Sequence, residues 1–150
     1  MSRVGFIGVG TMGFPMACNI ISKGNDLKFY DPYVHKENKS KLENLGAQYS
    51  TTIKDLLNNS EFVITMLPNG NNVKDVCMGE DGLLKQDKKD YIHIDMSTIL
   101  PADSIAINKK FESHNIKMFD APVARLVNNA IDGTLLILVG GDKNKFDEIK

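Results

Sequence analysis

The chain has 150 residues, of which 42% are hydrophobic and 25% are charged, and its formal net charge is -1. This composition predicts one globular domain with a hydrophobic core. The near-neutral balance gives no reason to expect nucleic acid or a membrane surface as a partner, and the apolar runs are too short to span a bilayer. The N-terminal residues lack the long apolar stretch of a signal peptide, so we expect a cytoplasmic protein.

The first predicted strand, Arg3–Ile7, runs directly into a glycine-rich segment at 8–13. The glycines have the G-x-G-x-x-G spacing, and they stand between a strand and a helix, as in dinucleotide-binding turns. We expect Gly8 to form the turn, Gly10 to let the backbone approach a pyrophosphate, and Gly13 to let the helix pack on the strand. The free N–H groups of the first helical turn would then face the phosphates. The alternative is a strand–helix turn that binds no ligand.

A second predicted strand, at 27–31, follows the first helix, which ends at Gly24. Asp31 is the last residue of this strand, where dinucleotide-binding folds place the acid that hydrogen-bonds the adenosine ribose. Its carboxylate would repel a 2′-phosphate and no arginine follows it, so the sequence favours NAD over NADP. The alternative is an aspartate that starts a turn with Pro32.

Strands and helices alternate through the rest of the chain. Further strands are predicted at 47–49, 62–66, 91–95, 117–120 and 134–139, and further helices at 34–45, 53–57, 73–77, 101–111 and 128–131. This order predicts an α/β fold of the Rossmann type, a doubly wound, mainly parallel sheet with helices on both faces. Residues 79–90 are expected to form a polar connecting loop anchored by a Gly-Leu-Leu segment.

The loops predicted at the carboxyl ends of the strands form one row, and ligands of such sheets bind at this edge. They are residues 8–13, Asp31, Leu67 with Pro68, Ser97 with Thr98, and residues 121–125. The sequence therefore predicts one site built from these five loops.

Cysteine and histidine give no indication of a metal site. Cys18 and Cys77 are isolated in the sequence, and His35, His93 and His114 are scattered without ligand spacing. We interpret Cys18 as a small core residue and His93, inside an apolar strand, as a structural histidine.

Four motifs give the sequence a resemblance to the β-hydroxyacid dehydrogenase family, which includes 3-hydroxyisobutyrate dehydrogenase and tartronate semialdehyde reductase. They are GFIGVGTMGFPMA at 5–17, TMLPNG at 65–70, IDMST at 94–98 and DAPV at 120–123. The resemblance implies NAD as the cofactor, with three sets of contacts. The pyrophosphate would be bound by Gly8, Gly10, Thr11, Met12 and Gly13, and the adenosine ribose by Asp31. Leu67, Pro68 and Thr98 would line the cleft that leads to the nicotinamide, and Asn72 would be a further contact. Ser97 would contact the substrate.

The fourth motif departs from the pattern of most members, which continue with Ser-Gly-Gly. Here Ala124, Arg125 and Leu126 follow Val123, and this resembles the branch that contains sulfolactaldehyde reductase, also described as a 4-hydroxybutyrate dehydrogenase. A guanidinium offers a fork of donors to a sulfonate or carboxylate, and a charged hydrogen bond of this kind contributes roughly 1.5–3 kcal/mol. We therefore predict that Arg125 binds the substrate anion. The alternative is a solvated loop arginine.

The resemblance implies an NAD-dependent oxidoreductase acting on CH-OH groups, which interconverts a short anionic aldehyde and its hydroxy acid. Sulfolactaldehyde or succinic semialdehyde types are expected; the alternatives are a 3-hydroxyisobutyrate or tartronate semialdehyde (2-hydroxy-3-oxopropionate) type of dehydrogenase, or a dinucleotide-binding module without catalysis. The family's catalytic lysine has no counterpart here, because Lys143, Lys145 and Lys150 do not match its motif. We expect residues 1–150 to be the N-terminal NAD-binding domain, inactive alone, of a protein whose all-helical second domain supplies that lysine and builds a homo-oligomer.

Overall fold

A computed structural model describes residues 1–150 and contains one six-stranded sheet. Its strands are β1 (Arg3–Ile7), β2 (Asp26–Tyr30), β3 (Gln48–Tyr49), β4 (Phe62–Thr65), β5 (Ile92–Asp95) and β6 (Lys117–Asp120). They lie in the order β3-β2-β1-β4-β5-β6, and every neighbouring pair is parallel. The order reverses between β1 and β4, which creates the crevice that ligands of open α/β sheets occupy. The predicted doubly wound fold is confirmed.

Six helices connect or follow the strands. They are α1 (Gly13–Ser22), α2 (Lys36–Asn44), α3 (Ile53–Leu57), α4 (Gly70–Met78), α5 (Pro101–Ser113) and α6 (Val127–Asp132). Two segments, Leu83–Lys85 and Lys143–Glu148, are 3-10 helices. None of the helices is long and apolar enough to cross a membrane.

Alternate residues of the central strands build two separate hydrophobic cores, one on each face of the sheet. Phe6 and Ile64 belong to the core under α1, α2 and α6, whereas Ile7 and Val63 belong to the core under α3, α4 and α5. This is the two-residue period of a strand that is covered on both faces. The sheet is thereby held between two helical layers, and its carboxyl edge is left to the loops.

Local sequence signals define most helix ends. Gly24, Gly46 and Gly133 adopt positive φ angles of 81°, 100° and 68° just after α1, α2 and α6, a conformation that favours glycine. The side chains of Thr52 and Asn69 each accept a hydrogen bond, at 3.1 Å, from the backbone N–H three residues further on. These caps begin α3 and α4 where the apolar spacing predicts them.

The apolar run at 134–139 forms a shorter strand than we predicted, and this strand lies outside the main sheet. Only Leu136–Ile137 is a strand (β8), and it pairs antiparallel with β7 (Val123–Ala124) in a separate two-stranded sheet. Its side chains are exposed because no helix covers this ribbon. An apolar run indicates a strand but not what will pack against it. Cys18, which we predicted to be a small core residue, is half-buried and packs at the margin of the core under α1.

Candidate functional site

A cavity of about 660 Å³ opens where β1, β2 and β4 end, a volume within the range of small-molecule sites. It brings together eight of the predicted site residues and the predicted further contact. They are Gly8, Gly10, Thr11, Met12, Gly13, Asp31, Leu67, Pro68 and Asn72. The cavity wall therefore comes from loops that are far apart in sequence and meet at the edge of the sheet.

The three motif glycines have different surroundings. Gly8 has a φ of 94°, and a Cβ on Gly13 would overlap the carbonyl oxygen of Gly8. A Cβ on Gly10 would meet no atom within 4 Å, and this residue lines the cavity. Gly8 and Gly13 are thus required by the fold itself, whereas the protein places no steric demand on Gly10. The bare backbone at Gly10 suits close approach of a ligand.

The N-terminus of α1 presents unpaired donors to the cavity. The first bond of this turn joins Phe14 N–H to the carbonyl of Gly10 at 2.9 Å, and the amides of Thr11, Met12 and Gly13 have no acceptor within the chain. Unpaired amides and the positive end of the helix dipole favour an anion at this position. The geometry matches a phosphate-binding turn.

The carboxylate of Asp31 fixes the glycine loop to the end of β2. Its Oδ2 accepts from Val9 N–H at 3.0 Å, and its Oδ1 accepts from Tyr33 N–H at 2.8 Å. Each carboxylate oxygen has two acceptor positions, so both retain capacity for hydroxyl donors. Asp31 is held in place by the backbone before any ligand arrives.

Ser97 does not line the cavity, and the substrate contact that we predicted for it stays a prediction. It is fully buried, and its Oγ accepts from Leu67 N–H at 2.9 Å. Its own N–H donates to Asp95 Oδ1 at 3.1 Å. The serine hydroxyl therefore links the loop after β4 to the loop after β5. Thr98, the next residue, is exposed and also lies outside the cavity lining.

A buried polar network below these loops was not found from the sequence. Thr65 Oγ1 donates to Asp95 Oδ1 at 2.8 Å and lies 3.0 Å from His93 Nε2. Because a hydroxyl has one hydrogen, the His93 ring donates from Nε2 and is unprotonated at Nδ1. All three side chains are fully buried, and neither His93 Nδ1 nor Asp95 Oδ2 has a partner. Polar residues inside two apolar strands were the only sequence signal.

Burial sets the protonation of this network. Desolvation lowers the pKa of His93 to about 3, and it raises the pKa of Asp95 above its ordinary value against the hydrogen bonds of Ser97 and Thr65. The His93 ring also stacks on Phe111, with 4.6 Å between ring centroids. His93 is therefore a neutral structural histidine, as predicted.

The neutral ring gives a testable pH dependence. The ordinary pKa of histidine is 6.5 and the folded value is about 3. Between these values the unfolded chain binds more protons, so stability is lost as pH falls, by up to about 1.4 kcal/mol per pH unit. We expect His93→Leu to lack this part of the slope when urea unfolding is compared at about pH 7 and about pH 4.5. Equal slopes in the two proteins would contradict the neutral buried ring.

Arg125 lies beyond β6, outside the cavity lining, at the turn that follows β7. Its side chain is exposed, and Nη1 donates to the carbonyl of Thr134 at 2.9 Å. Its φ of 88° lies in the left-handed region, which costs a non-glycine residue about 1 kcal/mol or more. Strain of this kind is found most often at functional sites.

Several residues that line the cavity were not predicted from the sequence, among them Tyr33, Asp75 and Asp81. Tyr33 follows Asp31 and is 88% exposed, Asp75 lies on α4, and Asp81 belongs to the loop that we interpreted as a connector. Nothing in their local sequence distinguishes them from surface residues. The folding of the 79–90 loop toward β2 places Asp81 at the cavity.

Comparison with known proteins agrees with this geometry. Residues 3–150 match the family described as the NAD binding domain of 6-phosphogluconate dehydrogenase. The chain is 40% identical over 141 residues to 3-sulfolactaldehyde reductase of Escherichia coli (strain K12), covering 94% of this chain and 47% of that protein. It is 41% identical over 145 residues to mitochondrial 3-hydroxyisobutyrate dehydrogenase of Rattus norvegicus, covering 95% of this chain and 42% of that protein.

A solved structure of Mycobacterium tuberculosis 3-hydroxyisobutyrate dehydrogenase with L-serine superimposes with a TM-score of 0.89 at 30% identity, covering 100% of this chain and 50% of that one. The chain thus spans about half the length of the relatives that it matches. The nearly equal identities to the two curated relatives do not separate their substrates. The chain belongs to the NAD-binding domains of the 6-phosphogluconate dehydrogenase type, and among them to the β-hydroxyacid dehydrogenase family.

Proposed function

We propose that this chain is the cofactor-binding part of an NAD-dependent reductase that interconverts a short anionic aldehyde and its hydroxy acid. The main support is the cavity at the β1–β4 crevice, which is lined both by the residues with unpaired amides at the start of α1 and by Asp31. The relatives are about twice as long as this chain. The activity is therefore proposed for a complete protein that contains this domain.

The residues of the cavity suit the adenosine and pyrophosphate parts of an NAD molecule. The amides of Thr11 and Met12 would hold the pyrophosphate, and the remaining acceptor positions of Asp31 would bind the adenosine ribose hydroxyls. Leu67 and Pro68 would form the apolar wall that leads toward the nicotinamide. When bound, the cofactor supplies the hydride, and the protein supplies orientation.

The substrate end would lie past the carboxyl ends of β5 and β6. We propose that Thr98, exposed at the end of β5, positions the nicotinamide side of the site. Arg125 would bind the sulfonate or carboxylate of the substrate, because one of its five N–H donors is used by Thr134 and the others are available. Ser97 would act through Leu67, by holding the loop that carries the apolar wall.

The remaining parts of the proposal concern the whole protein. We propose an all-helical second domain that supplies a catalytic lysine and builds a homo-oligomer, and a location in the cytoplasm. The support is the resemblance to the family and the half-length match to its members. A 3-hydroxyisobutyrate type of substrate is the second candidate, favoured by the match to the rat enzyme.

The test is an NADH-oxidation assay on the protein at its native length, with four aldehydes. We expect faster turnover of sulfolactaldehyde or succinic semialdehyde than of methylmalonate semialdehyde or tartronate semialdehyde, because the first pair carry their anion one carbon further from the aldehyde group, the spacing that we propose for an anion bound to Arg125. Higher rates with methylmalonate semialdehyde or tartronate semialdehyde would favour the second candidate, a dehydrogenase of the 3-hydroxyisobutyrate type. If none of the four is reduced although NADH binds, the chain would be a dinucleotide-binding module.

A further inference from the structure

The cavity is lined by acidic side chains that are not neutralised. Asp31, Asp75 and Asp81 all line it, and none of them takes part in an ion pair of the structure. No lysine or arginine lines the cavity, and His35 is the only lining residue that can carry a positive charge. Three carboxylates therefore surround a space that we expect to hold an anionic cofactor.

The carboxylates stand on different elements of the cavity wall. Asp31 follows β2, whereas Asp75 lies on α4 and Asp81 on the loop after it. The phenol of Tyr30, at the end of β2, is affected by two of them, Asp31 and Asp81. Burial raises its pKa most, and the negative charges of Tyr49, Asp31 and Asp81 raise it further. The fields of Asp31 and Asp81 thus overlap at this end of the cavity.

We propose that Asp75 and Asp81 form a second barrier to NADP, in addition to Asp31. The inference rests on the proposed binding of NAD, and it names two further residues that set cofactor specificity. The adenosine 2′-phosphate of NADP would bring nearly two extra negative charges to this side of the cavity. Every carboxylate that faces this space repels them, and no lining lysine or arginine offsets the repulsion.

This arrangement explains how the site can bind one anion and reject another. The pyrophosphate common to both cofactors would lie at the opposite end, against the amides of α1, where the helix dipole favours it. Removal of Asp31 alone would leave Asp75 and Asp81 in place. We therefore expect the Asp31→Asn variant to remain selective for NADH over NADPH.

The test compares dissociation constants for NADH and NADPH, measured by cofactor fluorescence at low ionic strength. We expect Asp81→Asn to lower the ratio of the NADPH to the NADH dissociation constant about fivefold, the effect of one charge on a doubly charged group about 8 Å away in a water-like dielectric. Asp31→Asn combined with Asp81→Asn should lower the ratio further than either change alone. The effect should shrink as salt is added, because exposed charges are screened.

Glu80→Gln is the matched control, since Glu80 is exposed on the same loop and does not line the cavity. It should leave the ratio unchanged, and circular dichroism should show that all variants are folded. A ratio in Asp81→Asn and Asp75→Asn equal to that of the control would overturn the inference. Equal binding of both cofactors by Asp31→Asn alone would also overturn it. Failure of the unmodified protein to bind NADH would instead overturn the proposed function.

Discussion

Gly13→Ala is expected to destabilise the domain by about 3 kcal/mol, the upper part of the range for overpacking a tight contact. The new Cβ would overlap the carbonyl oxygen of Gly8, and this atom cannot move without displacing the turn after β1. Urea or thermal unfolding measures the change. NADH binding should weaken as well, because the amides of Thr11 and Met12 belong to the displaced turn.

Gly10→Ala is the matched control for this prediction. A Cβ at Gly10 meets no protein atom within 4 Å, so the unfolding free energy should change by less than about 1 kcal/mol. NADH affinity should nevertheless fall, because the methyl group would occupy space next to the expected pyrophosphate. If both variants lost stability equally, the prediction that only Gly13 is in a tight contact would be wrong. If Gly10→Ala bound NADH normally, the pyrophosphate would not approach this residue.

Arg125→Ala is expected to raise the KM for the anionic aldehyde by about 10- to 100-fold in the native-length protein, the effect of one lost charge-assisted hydrogen bond. The KM of the Arg125→Lys variant should lie between those of the unmodified protein and Arg125→Ala, because lysine keeps the charge but lacks the planar guanidinium with its two parallel donors. A neutral aldehyde of similar size serves as the control substrate, and its KM should hardly change. Steady-state kinetics with both substrates gives the result.

A merely structural role for Arg125 would produce a different pattern. The residue has a φ of 88° and bonds the carbonyl of Thr134, so its removal could also disturb the β7–β8 ribbon. Glycine suits the left-handed backbone at position 125, so Arg125→Gly should be more stable to unfolding than Arg125→Ala. Its KM for the anionic aldehyde should nevertheless rise to the same extent. Similar KM increases for the anionic and the neutral aldehyde would contradict substrate binding by the guanidinium.

The sequence predicts those parts of the site that depend on short-range constraints. The turn at Gly8, the close packing of Gly13 and the position of Asp31 at the end of β2 each follow from residue type and spacing, and the structure shows all three. Apolar periodicity also predicts the six parallel strands. The glycine spacing and the apolar periodicity each involve residues of one element or of two adjacent ones. They can therefore be recognised without knowledge of the tertiary contacts.

Other features depend on which distant segments meet. Ser97 is buried where the loops after β4 and β5 meet, and its hydroxyl accepts a hydrogen bond from Leu67 N–H. Asp81 lines the cavity because its loop folds toward β2. Neither contact has a local signal. The apolar run around Leu136 predicts a strand but not whether another element will cover it, and the β7–β8 ribbon is left exposed. Long-range packing decided each of these outcomes.

We expect the cavity at the β1–β4 crevice to bind NADH. The most direct test is a calorimetric titration of the chain with NADH, alongside Asp31→Ala. We predict one NADH site per chain. The dissociation constant of Asp31→Ala should be about tenfold higher or more, since hydrogen bonds to a charged group contribute about 1.5–3 kcal/mol. No heat of binding from the folded, unmodified chain, or equal affinity in the variant, would contradict the account.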